Sequence, residues 1–88
     1  MIAPSAWTTL PRDHYESRIH SLTRFADCHV ARDYHDGWSA EVVIPRADGS
    51  TQPPAERHVA HRLPSREAAQ AWCERVAAQA FAAMGGET

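Results

Sequence analysis

The last quarter of the chain, from Leu63 to Gly86, encodes a helix together with its start, its buried face and its stop. Ser65 is a natural N-cap, because its hydroxyl can accept from the free N–H groups of the first turn. Pro64 keeps the chain from entering the helix early, and Glu67 sets a carboxylate near the positive end of the helix dipole. Gly85-Gly86 supplies a residue able to turn left-handed and end it. At 100° per residue, Ala69, Trp72, Cys73, Val76, Ala77, Ala80, Phe81 and Met84 share one apolar arc. Burial of Trp72, Val76 and Phe81 would each contribute roughly 1.5–3 kcal/mol. On this pattern Trp72→Ala would cost about 3–5 kcal/mol, and the many alanines would let the helix sit close to whatever it covers.

The segments upstream read as strands. Cys28–Arg32 alternates, and a run of turn formers follows at Asp33–Gly37. Trp38–Ile44 is the clearest strand, with Trp38, Ala40, Val42 and Ile44 on one side and Ser39 and Glu41 on the other. Pro45 ends it, and Arg46–Glu56 is a polar, exposed loop. His58–Leu63 is a third strand, with Val59 and Leu63 expected on one side. Residues 12–26 carry two patterns. Tyr15, Ile19, Leu22 and Ala26 recur at helical spacing, which favours a short helix, while Ile19–Thr23 also suits a strand. The expected fold is therefore α+β: a small three-stranded antiparallel sheet packed on one face by a long C-terminal helix. Its order is β-β-β-α, with a short N-terminal helix or an extra strand in front.

With a helix over residues 12–24 the order becomes α-β-β-β-α, which resembles the double-stranded-RNA-binding domain in element order. That resemblance implies phosphate contacts from a Lys-rich cluster at the start of the last helix. Here the position reads Ser65-Arg66-Glu67-Ala68, one cation and one anion, and the formal charge of the chain is −2. The residues that would bind RNA are replaced.

Eighty-eight residues make one domain, over residues 12–86, preceded by an apolar arm at 1–11. A domain this small buries only about 60% of its unfolded surface, so a second subunit would be a useful source of stability. All nine basic residues are Arg, Lys and Asn are absent, and Ala occurs sixteen times, a composition typical of GC-rich bacterial coding sequence. No segment approaches the ~20 apolar residues of a membrane span, and the N-terminus lacks the features of a secretory signal. A cytoplasmic location is expected, with Cys28 in a strand and Cys73 on the apolar helix face both reduced.

Three groups of residues merit weighing for function. Arg57, His58, His61, Arg62, Ser65 and Arg66 place three cations and two histidines beside a helix N-terminus, where an anion or an acidic partner would be attracted. The competing reading is an edge strand carrying charges against aggregation. Ile2, Trp7 and Leu10 form the apolar arm; Trp7, outside every periodic segment, is expected to cover a second subunit or a partner, or else to fold back over its own sheet. Cys28, His29, Asp33, His35 and Asp36, with His58 and His61, have no metal-ligand spacing, so neither a metal nor a cofactor is implied. No nucleophile–base pair stands out. The expected role is a protein-interaction or regulatory accessory module, homodimeric, acting by binding. The alternatives are an anion- or nucleic-acid-binding module using Arg57–Arg66, and a small metal- or cysteine-dependent enzyme.

Overall fold

Two alternating strands flank a hairpin turn that contains no glycine, and this lengthens the sheet beyond the three strands expected. The computed structural model describes residues 7–21, 24–33, 37–46 and 56–83. Five strands run in chain order across one antiparallel sheet: β1 (Thr8–Leu10), β2 (His14–His20), β3 (Phe25–Asp33), β4 (Gly37–Ile44) and β5 (Glu56–Leu63). Helix α1 (Arg66–Ala83) follows and packs over β3, β4 and β5.

The helix expected in residues 12–26 is thus replaced by β2 and the start of β3. Tyr15, Ser17 and Ile19 point to the helix side, and Glu16, Arg18 and His20 point away, so period 2 prevails over the competing helical spacing. The turn before β2 holds Arg12 and Asp13 at φ 65° and 53°. Asp tolerates this left-handed region, but Arg rarely enters it. The Asp13 carbonyl accepts from the Arg32 N–H at 3.1 Å, tying the turn to β3. After β2, the Ser21 hydroxyl accepts from the Arg24 N–H at 3.1 Å and the Ser21 N–H donates to the Arg24 carbonyl at 2.8 Å. The element order likeness to a double-stranded-RNA-binding domain falls with the N-terminal helix.

Strand β4 is as expected. Ala40, Val42 and Ile44 are buried, opposite Val30, Cys28 and the Ala26 end of β3. The second expected departure lies in β5. A bulge sets His61 and Arg62 against Ser39 alone, so Leu63 pairs with Trp38 while Val59 pairs with Glu41. Arg62 takes φ 60° there. Leu63 and Val59 therefore do not share a side: Leu63 packs against the core, and Val59 is 47% exposed on the other face.

Helix α1 begins as its sequence dictates. The Ser65 hydroxyl accepts from the Ala68 N–H at 3.0 Å, and the Ser65 carbonyl accepts from the Ala69 N–H at 3.0 Å. Ala69, Cys73, Ala77, Ala80 and Phe81 are its buried residues, while Trp72 and Val76 lie partly buried at the margin. Met84, Gly85 and Gly86, expected to complete and stop the helix, lie outside the described residues, as does Ile2. The core is built from Ile19, Ala26, Cys28, Val30, Ala40, Val42, Ile44 and this helix face.

The two thiols in that core meet. Cys28 of β3 and Cys73 of α1 are both fully buried, with their sulfurs 4.0 Å from the carbonyl oxygens of Ala26 and Glu41 respectively, and the neighbouring Cys73, together with burial, pushes the Cys28 thiol far above its usual range. A thiol whose pKa is raised by folding adds stability that is complete below the unfolded value and is lost as pH rises. The unfolded value lies near 9.0. Reduced protein is therefore expected to lose up to about 1.4 kcal/mol per pH unit above that point, whereas Cys28→Ala removes this slope; urea titrations between neutral and strongly alkaline pH measure it.

Candidate functional site

The expected site residues sit on and beside β5, the strand at the end of the sheet. Because among the described residues β5 pairs only with β4, its outer backbone groups form the long edge of the sheet, eight residues against three for β1 at the other end. Arg57, Val59 and His61 face away from the helix; His58 and Ala60 face toward it. The bulge then turns Arg62 into the left-handed region, and Ser65 is occupied in capping α1. The alternation splits Arg57 and His61 from His58, so the basic residues of β5 do not converge on one point.

Each described cation here meets a partner. Arg57 Nε donates to Glu41 of β4, and His58 Nε2 donates to Glu56 at 2.8 Å. His61 Nδ1 shares a hydrogen bond of 3.1 Å with Ser39 Oγ. Arg66 donates to Glu67 at 2.7 Å and to the Tyr15 hydroxyl at 3.3 Å, with its guanidinium 5.1 Å from the centre of the Tyr15 ring. Tyr15 and then Glu67 raise the Arg66 pKa, while the backbone N–H of Glu67 and the Arg66 guanidinium hold the Glu67 carboxyl below its usual range. Exposed pairs such as these contribute little to stability. Their larger effect is to cancel the positive field that an anion or a nucleic-acid backbone would need.

The sheet face away from the helix continues the same chemistry. Thr8, Glu16, His29, Glu41 and Val59 form one row across all five strands, read directly from the pairing register. His29 lies 3.8 Å from Glu16, and the His14 and His29 rings are 5.6 Å apart. Arg18 donates to Asp27 at 2.9 Å and stacks 4.2 Å from the centre of the Phe25 ring. Among the described residues no group of three or more His, Cys, Asp or Glu side chains is placed to hold a metal ion, and no helix is long and apolar enough to cross a membrane. Both thiols face the core, and the neighbouring Cys73 together with burial raises the Cys28 thiol above its usual range, the opposite direction to the shift that activates a nucleophilic cysteine.

Trp7 packs against the core, and its indole N–H donates to Glu74 of α1 at 3.3 Å. Leu10 is the last residue of β1, opposite His14, at the far edge of the sheet from β5. Trp7 thus lies against its own domain.

One apolar side chain breaks the polar pattern of the edge. Val59 is the exposed large hydrophobic residue among those described, and it lies in the middle of β5. Its signal was present in the alternation of His58–Leu63, but the bulge at His61–Arg62, with no Gly to announce it, separated it from Leu63, with which it was expected to share a side. Comparison with protein-family models, with curated proteins and with solved structures finds no match to any of them.

Proposed function

We propose that the chain is a protein-interaction module that acts by binding, and that its working partner is a second copy of itself, joined through the free edge of β5. The observation that carries this reading is the exposed Val59 at the centre of an eight-residue edge strand. Such an edge presents unpaired N–H and C=O groups that another strand can complete. Antiparallel pairing of two β5 strands about a two-fold axis through Val59 preserves the faces of both sheets and gives a self-complementary contact. It sets Val59 against the second Val59, Arg57 opposite His61, and His58 opposite Ala60. With histidine neutral, no like charges oppose one another in this register. The small core supplies the incentive: a domain of this size gains from any further burial.

The dimer would be one continuous ten-stranded sheet with a helix over each half and the row of His29 and Glu41 left accessible on the other side. Sedimentation velocity on the full chain across a concentration series tests the reading. The native chain is expected to dimerise. Val59→Lys, which puts a solvated cation at the axis without touching the core, is expected to weaken association at least about tenfold, or 1.4 kcal/mol, with unchanged thermal unfolding of the monomer. A native chain that sediments as a monomer throughout overturns the reading.

A further inference from the structure

We infer that Cys28 and Cys73 are a disulfide-forming pair that joins β3 to α1 when the protein meets a small-molecule disulfide of the glutathione type. The residues are 45 apart in the chain, yet the topology brings both to one place. Cys28 lies opposite Val42 of β4, and Cys73 Sγ lies 4.0 Å from the carbonyl oxygen of the neighbouring Glu41. Both residues are fully buried. The side chains around the layer boundary are small, with Ala26, Ala40, Ala69 and Ala77 in the same core, which is what lets the helix approach the sheet closely enough to set Cys73 against the β4 backbone beside Val42, the cross-strand partner of Cys28.

The chemistry is two exchanges. One cysteine, as thiolate, attacks the small disulfide, forming a mixed disulfide and releasing one thiol. The other cysteine then attacks the mixed disulfide, forming the Cys28–Cys73 bond and releasing the second thiol. Two protein thiols are oxidised, one small disulfide is reduced to two thiols, and the two protein protons end on the released thiols. Because the folded core shields both sulfurs from solvent, exchange runs through the unfolded chain, and the closed bond is then protected by the same core. The link constrains a long loop of the unfolded chain, so it stabilises the fold. It is an intrachain event and stands independently of the β5 dimer.

The test is refolding of the full-length chain from denaturant into buffers of increasing oxidised-glutathione content, followed by alkylation and intact-mass measurement. The expected product has no alkylated cysteine, is lighter than the reduced chain by two hydrogens, and melts roughly 10 °C or more above it. Reductant reverses both changes. Cys28→Ala and Cys73→Ala each retain one thiol and are expected to carry a glutathione adduct under the same conditions. A native chain that instead carries glutathione on both cysteines, forms interchain links, or stays reduced in a buffer that modifies the single variants overturns the inference, as does an internally linked product that melts below the reduced chain.

Discussion

Phe81→Ala is expected to lower the free energy of unfolding by about 3–5 kcal/mol, the largest effect of any single truncation in the core. Phe81 is the largest fully buried side chain, and its companions in the core are mostly Ala, Val and Cys, with Ile19 and Ile44 the other large residues. Its removal leaves a cavity that those short side chains cannot fill. Small domains have a total stability of only about 5–15 kcal/mol, so much of the margin disappears. The sequence pattern alone pointed to Trp72 for this role. In the fold Trp72 is partly buried at the helix margin, so Trp72→Ala is expected to cost clearly less. Urea unfolding of the two variants decides between them: a midpoint loss for Trp72→Ala equal to that for Phe81→Ala would mean that the helix is seated on a different face.

Gly37→Ala is the second substitution with a large expected effect, and its cause lies in the backbone. Gly37 opens β4 at φ 97°, and a Cβ placed there would lie 2.5 Å from the carbonyl oxygen of Leu63. A non-glycine residue in so sparsely populated a conformation costs on the order of 1–3 kcal/mol by itself. The collision adds to that cost, because its other party is backbone and cannot rotate away. It also falls where Trp38 pairs with Leu63, just beyond the bulge that fixes which side of β5 faces the helix. The variant is expected to melt at least roughly 8 °C lower and to lose amide protection first at Leu63 and Trp38. Native-like melting would show that β4 and β5 do not approach each other this closely.

The parts of the fold that were legible in the sequence are those where one pattern stood alone. Ser65 caps α1 through its hydroxyl, as Pro64 before it and Glu67 after it indicated, and Trp38–Ile44 alternated without a second period. Residues 12–26 carried both periods, and Tyr15, Ile19, Leu22 and Ala26 outweighed an alternation that only the neighbouring strands could reward. The turn that makes β2 a strand uses Arg12 and Asp13 at positive φ, a conformation that usually announces itself through Gly or Asn. The same holds for the bulge at Arg62, which put Val59 on the face opposite Leu63 and thereby made it the feature of the candidate site. Arg57, His58, His61 and Arg62 were recognisable as a basic group, but the pairing of Arg57 with Glu41 and of His61 with Ser39 across the strands depends on register, which sequence spacing does not carry. The contact between Cys28 and Cys73 depends on where the helix crosses the sheet.

Edge-to-edge association through β5 makes a demand that no other arrangement shares. In a sample mixed from isotopically labelled and unlabelled full-length chains, isotope-filtered NMR should show contacts between protomers from Arg57 to His61 and from Val59 to Val59, with the open face around His29 silent. Contacts between protomers confined to the His14–His29 face, or none at concentrations where the chain is fully associated, would contradict the account.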